Sequence, residues 1–174
     1  PKEVEQAMQA IDDIEEAAVA ISESFEKART HAGIKSDEAI VSVGGNHVTV
    51  RPSRGIAMVS RADRIISNED IERALAQATS LTPVPNRELL HNLPQAWSVD
   101  DDRSVKDPLG MTGSRLEVNT LLIEGFAPNI KNLRKAIDLA GIRVKEIVFT
   151  PLAASRAILN RKQRNLGALV LDIG

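Results

Sequence analysis

The end of the chain places a carboxylate and a glycine directly after an apolar run. Residues 168–171 are predicted to form a buried strand, and Asp172 and Gly174 follow it. An aspartate at a strand tip can hold Mg²⁺ through water or orient an attacking water, and a nearby glycine lets backbone N–H groups approach a phosphate. The three residues Asp172, Ile173 and Gly174 alone are a weak signal, and a strand that ends in an ordinary turn also explains them. The rest of the sequence must therefore decide between a phosphate site and a plain turn.

Two clusters of charged side chains are candidates for contacts with a partner. One is a set of four arginines close together in the sequence, Arg51, Arg54, Arg61 and Arg64, and the other is the run Asp100, Asp101 and Asp102. The alternative for the arginines is that they are scattered over strand edges and a loop, where charge limits pairing with another strand. The aspartates also fit a solvated loop, because the alternating ligands and central glycine of an EF-hand are missing. Both clusters remain partner-binding predictions.

Several other chemistries are excluded by residue type. The histidines, at positions 31, 47 and 91, lack zinc-ligand spacing, and the absence of cysteine removes thiolate sites and disulfides. The segment from Gly110 to Gly113 matches the GxxG loop of a KH nucleic-acid-binding domain, but it has no basic residue and precedes a strand, so a turn is favoured.

Composition narrows the class of protein further. The chain has 174 residues, enough for one domain or two small ones, and the 43% hydrophobic and 2% aromatic content predicts an aliphatic core. So few rings argue against a base-stacking platform, and a net charge of −2 provides no global attraction to nucleic acid or anionic lipid. No apolar run approaches the roughly 20 residues of a membrane span.

The elements that must position these residues alternate between helix and strand. Helical spacing predicts a long helix over residues 2–31, and strands are predicted over 39–43, 47–51 and 55–59. Ser67 and Asp70 form a capping-box pattern that begins a helix, which Pro83 and Pro85 end. Further predicted elements are a strand over 87–100 interrupted at Pro94, a strand over 114–125, a helix over 129–140, a strand over 144–149, a helix from Thr150 and the final strand over 168–171. This mixture predicts an α/β or α+β fold.

Residues 86–125 resemble the FtsA family of bacterial cell-division proteins, which belongs to the actin-like ATPases. The family pattern runs Arg-Glu-x-Leu-His-x-x-Pro-Gln, an acidic loop, then Asn-Pro-x-Gly-Met-x-Gly-x-Arg-Leu-Glu and a strand. Here the matching residues are Arg87, Glu88, Leu90, His91, Pro94, Gln95, Pro108, Gly110, Met111, Gly113, Arg115, Leu116 and Glu117. Asp107 stands where the family has Asn. The segments "ISNEDIERAL" and "NLRKAIDLAGIRVKEIVFTPLAASRAIL" extend the resemblance over nearly the whole chain.

The resemblance implies part of an actin-like, ribonuclease-H-like subdomain that carries the α+β domain inserted in this family. Residues 1–53 and 150–174 would belong to the actin-like subdomain, and residues 54–149 would form the inserted domain. In the family the final strand continues as Asp-Ile-Gly-Gly-Gly-Thr, the second phosphate-binding loop. Asp172 and Gly174 would therefore be the first part of that phosphate loop in an ATP site, with Asp172 holding Mg²⁺ through water in the full-length protein.

The resemblance also implies a function in binding rather than catalysis for this part of the protein. The full-length protein is expected to bind ATP and Mg²⁺, to hydrolyse ATP weakly and to tether FtsZ filaments to the inner face of the cell membrane at the division site, in the cytoplasm. FtsZ and the membrane would be bound through regions absent here, and the inserted domain would contact neighbouring subunits and later division proteins. This fragment is expected to be inactive alone and to bind no nucleic acid. The alternative is a nucleotide-hydrolysing or phosphotransfer enzyme of the actin, chaperone and sugar-kinase superfamily.

Overall fold

A computed structural model describes residues 14–80 and 84–171 and divides the chain into two compact units. The flanking unit comprises residues 1–48 and 125–174, and the inserted unit comprises residues 49–124. Each unit combines helices with a sheet, so the fold is α+β. In chain order the elements are α1 (Ile14–Ala32), β1 (Glu38–Val43), β2 (Val48–Met58), α2 (Asn68–Ser80), β3 (Arg87–Val99), β4 (Asp102–Val105), β5 (Arg115–Phe126), α3 (Ala127–Leu139), β6 (Arg143–Phe149), α4 (Thr150–Ile158) and α5 (Arg161–Leu166).

The flanking unit is built on a parallel pair of strands. β1 pairs with β6, with Val41 opposite Ile147, and α1 packs against α3. Aliphatic side chains fill the interior, as the scarcity of aromatic residues predicts; the buried ones are Ala18, Val43, Ile130, Ala136, Ile137, Ile142 and Ile147. Parallel strands need a long connection, and here the whole inserted unit lies between β1 and β6 in the sequence.

The inserted unit is a four-stranded sheet in the order β2-β5-β3-β4, with α2 on one face. Its core lies between that face and the helix and consists of Ala57, Ile66, Ala74, Ala78, Trp97, Val99, Leu116 and Val118. β5 shows the alternation that the sequence predicts, because Leu116, Val118, Thr120 and Leu122 are all buried. The opposite face of the sheet therefore carries the intervening residues.

Helix α2 approaches β2 closely at Gly55. A Cβ atom on this residue would lie 1.9 Å from the carbonyl oxygen of Ala74, so only glycine fits this contact. Ser53 donates a hydrogen bond to the Ala78 carbonyl at 2.6 Å, and the Gln77 side chain accepts one from the Ile56 N–H. Since β2 is an edge strand, the bond from the Ile56 N–H satisfies a backbone group that would otherwise be open for pairing.

The predicted capping box at the start of α2 is confirmed. The Asp70 carboxylate accepts hydrogen bonds from the Ser67 N–H and hydroxyl, both at 2.8 Å, and pairs with Arg73. Burial of Asp70 raises its carboxyl pKa, but the Ser67 hydrogen bonds and the Arg73 charge outweigh burial, so the net pKa is lowered. The helix ends at Ser80, ahead of both prolines predicted to end it; of these, Pro83 lies outside the described residues.

Three strand predictions need correction. The predicted strands over 47–51 and 55–59 are one strand, β2, which tolerates Pro52 because it lies at the sheet edge. Strand β3 runs through Pro94, but Asn92 bonds to α2 and Trp97 lies in the core beneath it. A strict alternation cannot place residues five apart on one face, so the side-chain pattern shifts by one residue near Pro94.

The predicted strand over residues 168–171 is wrong. This segment has no regular structure, and Leu169 and Leu171 are 85% and 74% exposed. A strand requires a hydrogen-bonded neighbour, and the sheets of the described residues do not include this segment. Conversely, β4 occupies part of the predicted acidic loop, because Val99 and Asp102 pair across a tight hairpin.

The ends of the remaining predictions differ as well. The first twelve residues of the predicted helix over 2–31 fall at or before position 13, outside the described residues, and the described part, α1, extends to Ala32. The compact inserted unit spans residues 49–124, whereas the sequence predicted an insertion over 54–149. The difference lies in α3 and β6, which pack with α1 and β1 and so belong to the flanking unit.

Candidate interaction site

The sheet face that points away from α2 gathers charged side chains from neighbouring strands. Ser53 contacts α2 and Ala57 lies in the core, so Arg54, one residue after Ser53, points to the opposite face. By the same argument Glu117, between the core residues Leu116 and Val118, points to that face. We call this surface the open sheet face.

Glu117 is the centre of an ion-pair cluster on the open sheet face. Its carboxylate pairs with the guanidinium of Arg54 through one oxygen and with that of Arg115 through the other. The Glu117 side chain is only 11% exposed, whereas those of Arg54 and Arg115 are 57% and 45% exposed. A nearly buried carboxylate therefore holds two guanidinium groups whose side chains are about half exposed.

Asp100 anchors the β3–β4 hairpin to the start of β5. Its carboxylate accepts hydrogen bonds from the Ser114 N–H at 3.0 Å and 3.1 Å and from the Arg115 N–H at 2.9 Å. The backbone of Asp100 has φ 48, a left-handed conformation that aspartate adopts more readily than most residues. The Asp100 carboxylate is thus engaged by backbone donors, which gives this residue a structural role.

These side chains line a polar cleft of about 690 Å³ on the open sheet face. The lining residues are Arg54, Ser98, Asp100, Asp101, Arg115, Glu117 and Asn119. The structure therefore brings Arg54, one of the predicted arginines, close to Asp100 and Asp101, two of the predicted aspartates. The arginine is far from the two aspartates in the sequence. Because both signs of charge are present, the cleft is suited to a protein surface with complementary charges rather than to a simple ion.

The other predicted arginines do not lie in this cleft. Arg51 shares the face of Ser53, and its guanidinium donates to Glu124 at 2.8 Å and 2.9 Å. Arg61 pairs with Asp63 in the loop after β2, and that bond, together with one from the Ile65 N–H, lowers the carboxyl pKa of Asp63 to about 2. Arg64, in the same loop, is exposed with φ 57.

The remaining predicted residues are placed as follows. Asp102 is exposed at the start of β4, opposite Val99, and does not line the cleft. Asp172 and Gly174, the predicted phosphate and Mg²⁺ site, lie outside the described residues. Across residues 14–80 and 84–171, no group of three His, Cys, Asp or Glu side chains is arranged to hold a metal ion. In the same part of the chain, no helix is long and apolar enough to cross a membrane.

Sequence reasoning missed the two central residues of the cleft as site residues, Arg115 and Glu117. The signal was present in the alternation of β5, where charged residues at 115 and 117 interrupt a run of buried aliphatic positions. A charged residue at every second position of a strong strand marks its outward face. The pattern could not show that Glu117 pairs with Arg54, because Arg54 lies 63 residues earlier in the sequence.

Comparisons with known proteins point to the same family for the inserted unit and for the chain as a whole. Residues 45–124 match the family model described as the SHS2 domain inserted in FTSA. Over 93% of its length the chain is 35% identical to the cell division protein FtsA of Streptococcus pneumoniae and 34% identical to that of Bacillus subtilis. It is 35% identical over 92% of its length to the FtsA of Borreliella burgdorferi. The chain spans 35%, 37% and 39% of these three relatives, little more than a third of each.

One solved structure has a similar fold. A chain of the PilM–PilN type IV pilus biogenesis complex superposes with a TM-score of 0.50 at 15% sequence identity. The match covers 79% of this chain and 35% of that chain. At this identity the likeness is one of fold alone.

Proposed function

The chain belongs to the FtsA family of cell-division proteins, and on that premise we propose that its inserted unit, residues 49–124, is a domain for contacts between proteins. The observation that carries this proposal is the open sheet face of a self-contained unit, where a nearly buried Glu117 fixes two exposed guanidiniums beside exposed Asp101. Charges held in fixed positions favour recognition of a partner, because they lose little freedom on binding.

Two kinds of partner fit this domain in the full-length protein. One is a neighbouring subunit in a polymer, and the other is a division protein that arrives after FtsZ. We place FtsZ tethering and membrane attachment in regions of the full-length protein outside this chain. The resulting role is a cytoplasmic adaptor at the inner face of the membrane at the division site.

ATP and Mg²⁺ belong to the same proposal as ligands of the full-length protein, with Asp172 and Gly174 in the second phosphate loop. A nucleotide site works by positioning and preorganised electrostatics, so it requires both phosphate loops and both walls of a cleft. For the 174-residue chain we expect no micromolar affinity for Mg-ATP by isothermal titration. Micromolar binding would contradict a role limited to protein contacts.

The direct test is removal of the inserted unit from the full-length protein. The Phe126 N–H lies 3.0 Å from the His47 carbonyl oxygen, so a linker of a few residues can replace residues 49–124. We expect the deletion variant to co-sediment with FtsZ as the native protein does and to fail in polymer contacts or in recruitment of later division proteins. Loss of FtsZ co-sedimentation with normal later recruitment would overturn the proposal.

A further inference from the structure

Strand β3 is only partly covered on its side away from β5. The sheet order places β4 on that side, but β4 pairs only with residues 97–99 of β3. Within the described part of the chain, no strand lies beside residues 87–96 on that side, and none of these residues is buried. We call the middle of this stretch, residues 89–93, the open β3 edge.

The direction of the backbone groups on β3 follows from the residues beside β4. Asp100 donates its N–H to the Arg115 carbonyl oxygen of β5 at 2.9 Å. Val99, one residue earlier, therefore points its N–H and C=O the other way, towards β4. The Val99 side chain lies in the core beneath α2. Since side-chain face and hydrogen-bonding direction alternate together along a strand, every β3 residue that faces α2 points its N–H and C=O away from β5.

Leu90 and Asn92 therefore present their backbone groups at the open β3 edge. The Asn92 side chain faces α2, because its Nδ2 donates to the Leu75 carbonyl oxygen at 3.1 Å and to Thr79 Oγ1 at 3.2 Å. Leu90 is two residues earlier and shares that face. Two N–H and two C=O groups thus point to a side where no strand of the described residues meets them. Backbone groups of this kind are a template for another strand.

Apolar side chains accompany these backbone groups. Leu89 and Leu93 have the opposite phase to Asn92, so they lie on the open sheet face. Leu89 is 39% exposed, and Leu93 is half-buried. A strand added at this edge would cover part of both side chains, since cross-strand neighbours on one face contact each other. Strand addition uses this combination, in which main-chain bonds supply affinity and alternate side chains supply specificity.

The bend near Pro94 favours an extended segment over a second folded copy of this chain. The side-chain phase of β3 shifts there, and such a shift bends a strand. Regular pairing is thus limited to the seven residues before it, 87–93. Two folded copies that met only through this stretch would fall far short of the roughly 20 residues a side of a stable interface. An unfolded segment follows the bend and becomes ordered only on binding.

We propose that the open β3 edge binds an extended segment of a division protein that arrives after FtsZ, which adds to the sheet as a further strand in line with β4. The segment has apolar side chains at alternate positions, where they pack on Leu89 and Leu93. This inference rests on the proposed role of the inserted unit in protein contacts, and it adds a main-chain contact to the charged cleft.

Hydrogen exchange of the 174-residue chain, followed by NMR, tests whether the edge is open. The amides of Leu90 and Asn92 point away from β5, whereas the amide of His91 between them points towards β5. We expect the first two to exchange about tenfold or more faster than that of His91. Equal protection of the three amides would show that the edge is already covered and would overturn the inference.

Two variants of the full-length protein test the binding itself, with overlapping peptides from the cytoplasmic regions of the later division proteins as probes. Leu89→Lys places a charge on the edge, and we expect it to weaken peptide binding by about tenfold or more. Leu109→Lys makes the same change at an exposed position between β4 and β5 and should bind as the native protein does. Leu90→Pro removes one outward N–H, which an edge strand tolerates, and should also weaken binding by about tenfold.

The outcomes separate this inference from the proposed role of the whole unit. If deletion of residues 49–124 abolishes later recruitment while both edge variants recruit and bind peptides normally, the unit is a contact domain but the open β3 edge is not its strand-binding site. If the deletion variant recruits normally, both proposals fail. Self-association of the 174-residue chain that Leu89→Lys abolishes would overturn the inference in favour of a second copy.

Discussion

The guanidinium of Arg51 donates to both carboxylate oxygens of Glu124, with Nε 2.8 Å from Oε2 and Nη2 2.9 Å from Oε1. The two residues lie at the two ends of the inserted unit in the sequence, and their side chains are only 23% and 8% exposed. The hydrogen bonds that Arg51 donates to Glu124 raise the pKa of Arg51. This pair joins β2 to β5 where the chain enters and leaves the unit.

Removing the charge of Glu124 should destabilise the inserted unit. Glu124→Gln leaves a half-buried guanidinium with a neutral acceptor, and we expect a loss of about 2 kcal/mol in the free energy of unfolding, measured in urea. Glu72→Gln, at an exposed position of α2, is the control and should change nothing measurable. Equal stability of the two variants would show that the pair contributes little.

Gly55→Ala should be more damaging than an ordinary glycine substitution. The added Cβ would meet the Ala74 carbonyl oxygen at 1.9 Å, so α2 must move away from β2, at a cost of about 3 kcal/mol or more. Gly33→Ala is the comparison, because Gly33 has φ +64 but open space around it, and it should cost about 1 kcal/mol. Urea unfolding measures both, and a Gly55→Ala variant no less stable than Gly33→Ala would contradict the close contact.

The buried Asp70 should make stability depend on acidic pH. Because the pKa of Asp70 is lowered in the folded state, its contribution is fully present above the ordinary aspartate pKa of about 4. That contribution is lost as the pH falls through the lowered value. The difference in unfolding free energy between the native chain and Asp70→Asn should therefore be largest near neutral pH and shrink below about pH 4. A difference that stays constant down to pH 2 would mean that the charge of Asp70 is not what stabilises α2.

The adjacent aspartates of the β3–β4 hairpin should respond differently to the same change. Asp100→Asn weakens the bonds to the Ser114 and Arg115 N–H groups and should cost about 1–2 kcal/mol in urea unfolding. Asp101→Asn, at an exposed position in the cleft, should leave stability unchanged and weaken partner binding instead. Equal effects on stability would remove the distinction between the anchoring and contact roles.

Local patterns in the sequence predicted the features that depend on neighbours in the chain. Ser67 and Asp70 are three residues apart, and the alternation from Leu116 to Leu122 is a property of one strand, so both could be read directly. The contact between Arg54 and Glu117 depends on which strands pair and in what register, and a single sequence does not specify that.

The strand prediction over residues 168–171 was wrong for a related reason. An apolar run predicts burial, but burial requires a neighbouring strand, and the described residues supply none for this segment. The phase shift near Pro94 was missed for a different reason: the proline marked an irregularity, but the number of residues inserted depends on how Asn92 reaches α2.

The most direct test of the contact role places a large side chain in the cleft without breaking an ion pair. Asn119→Arg does this because Asn119 is exposed on the open sheet face and lines the cleft. Ala76→Arg is the control, because it adds the same side chain and charge at an exposed position of α2, away from the cleft. In the full-length protein we measure polymer pelleting, recruitment of later division proteins and FtsZ co-sedimentation.

We expect Asn119→Arg to weaken polymer pelleting or later recruitment by about tenfold or more, with FtsZ binding unchanged and Ala76→Arg native in every assay. If Asn119→Arg pellets as a polymer and recruits later division proteins as the native protein does, the cleft is not the contact surface.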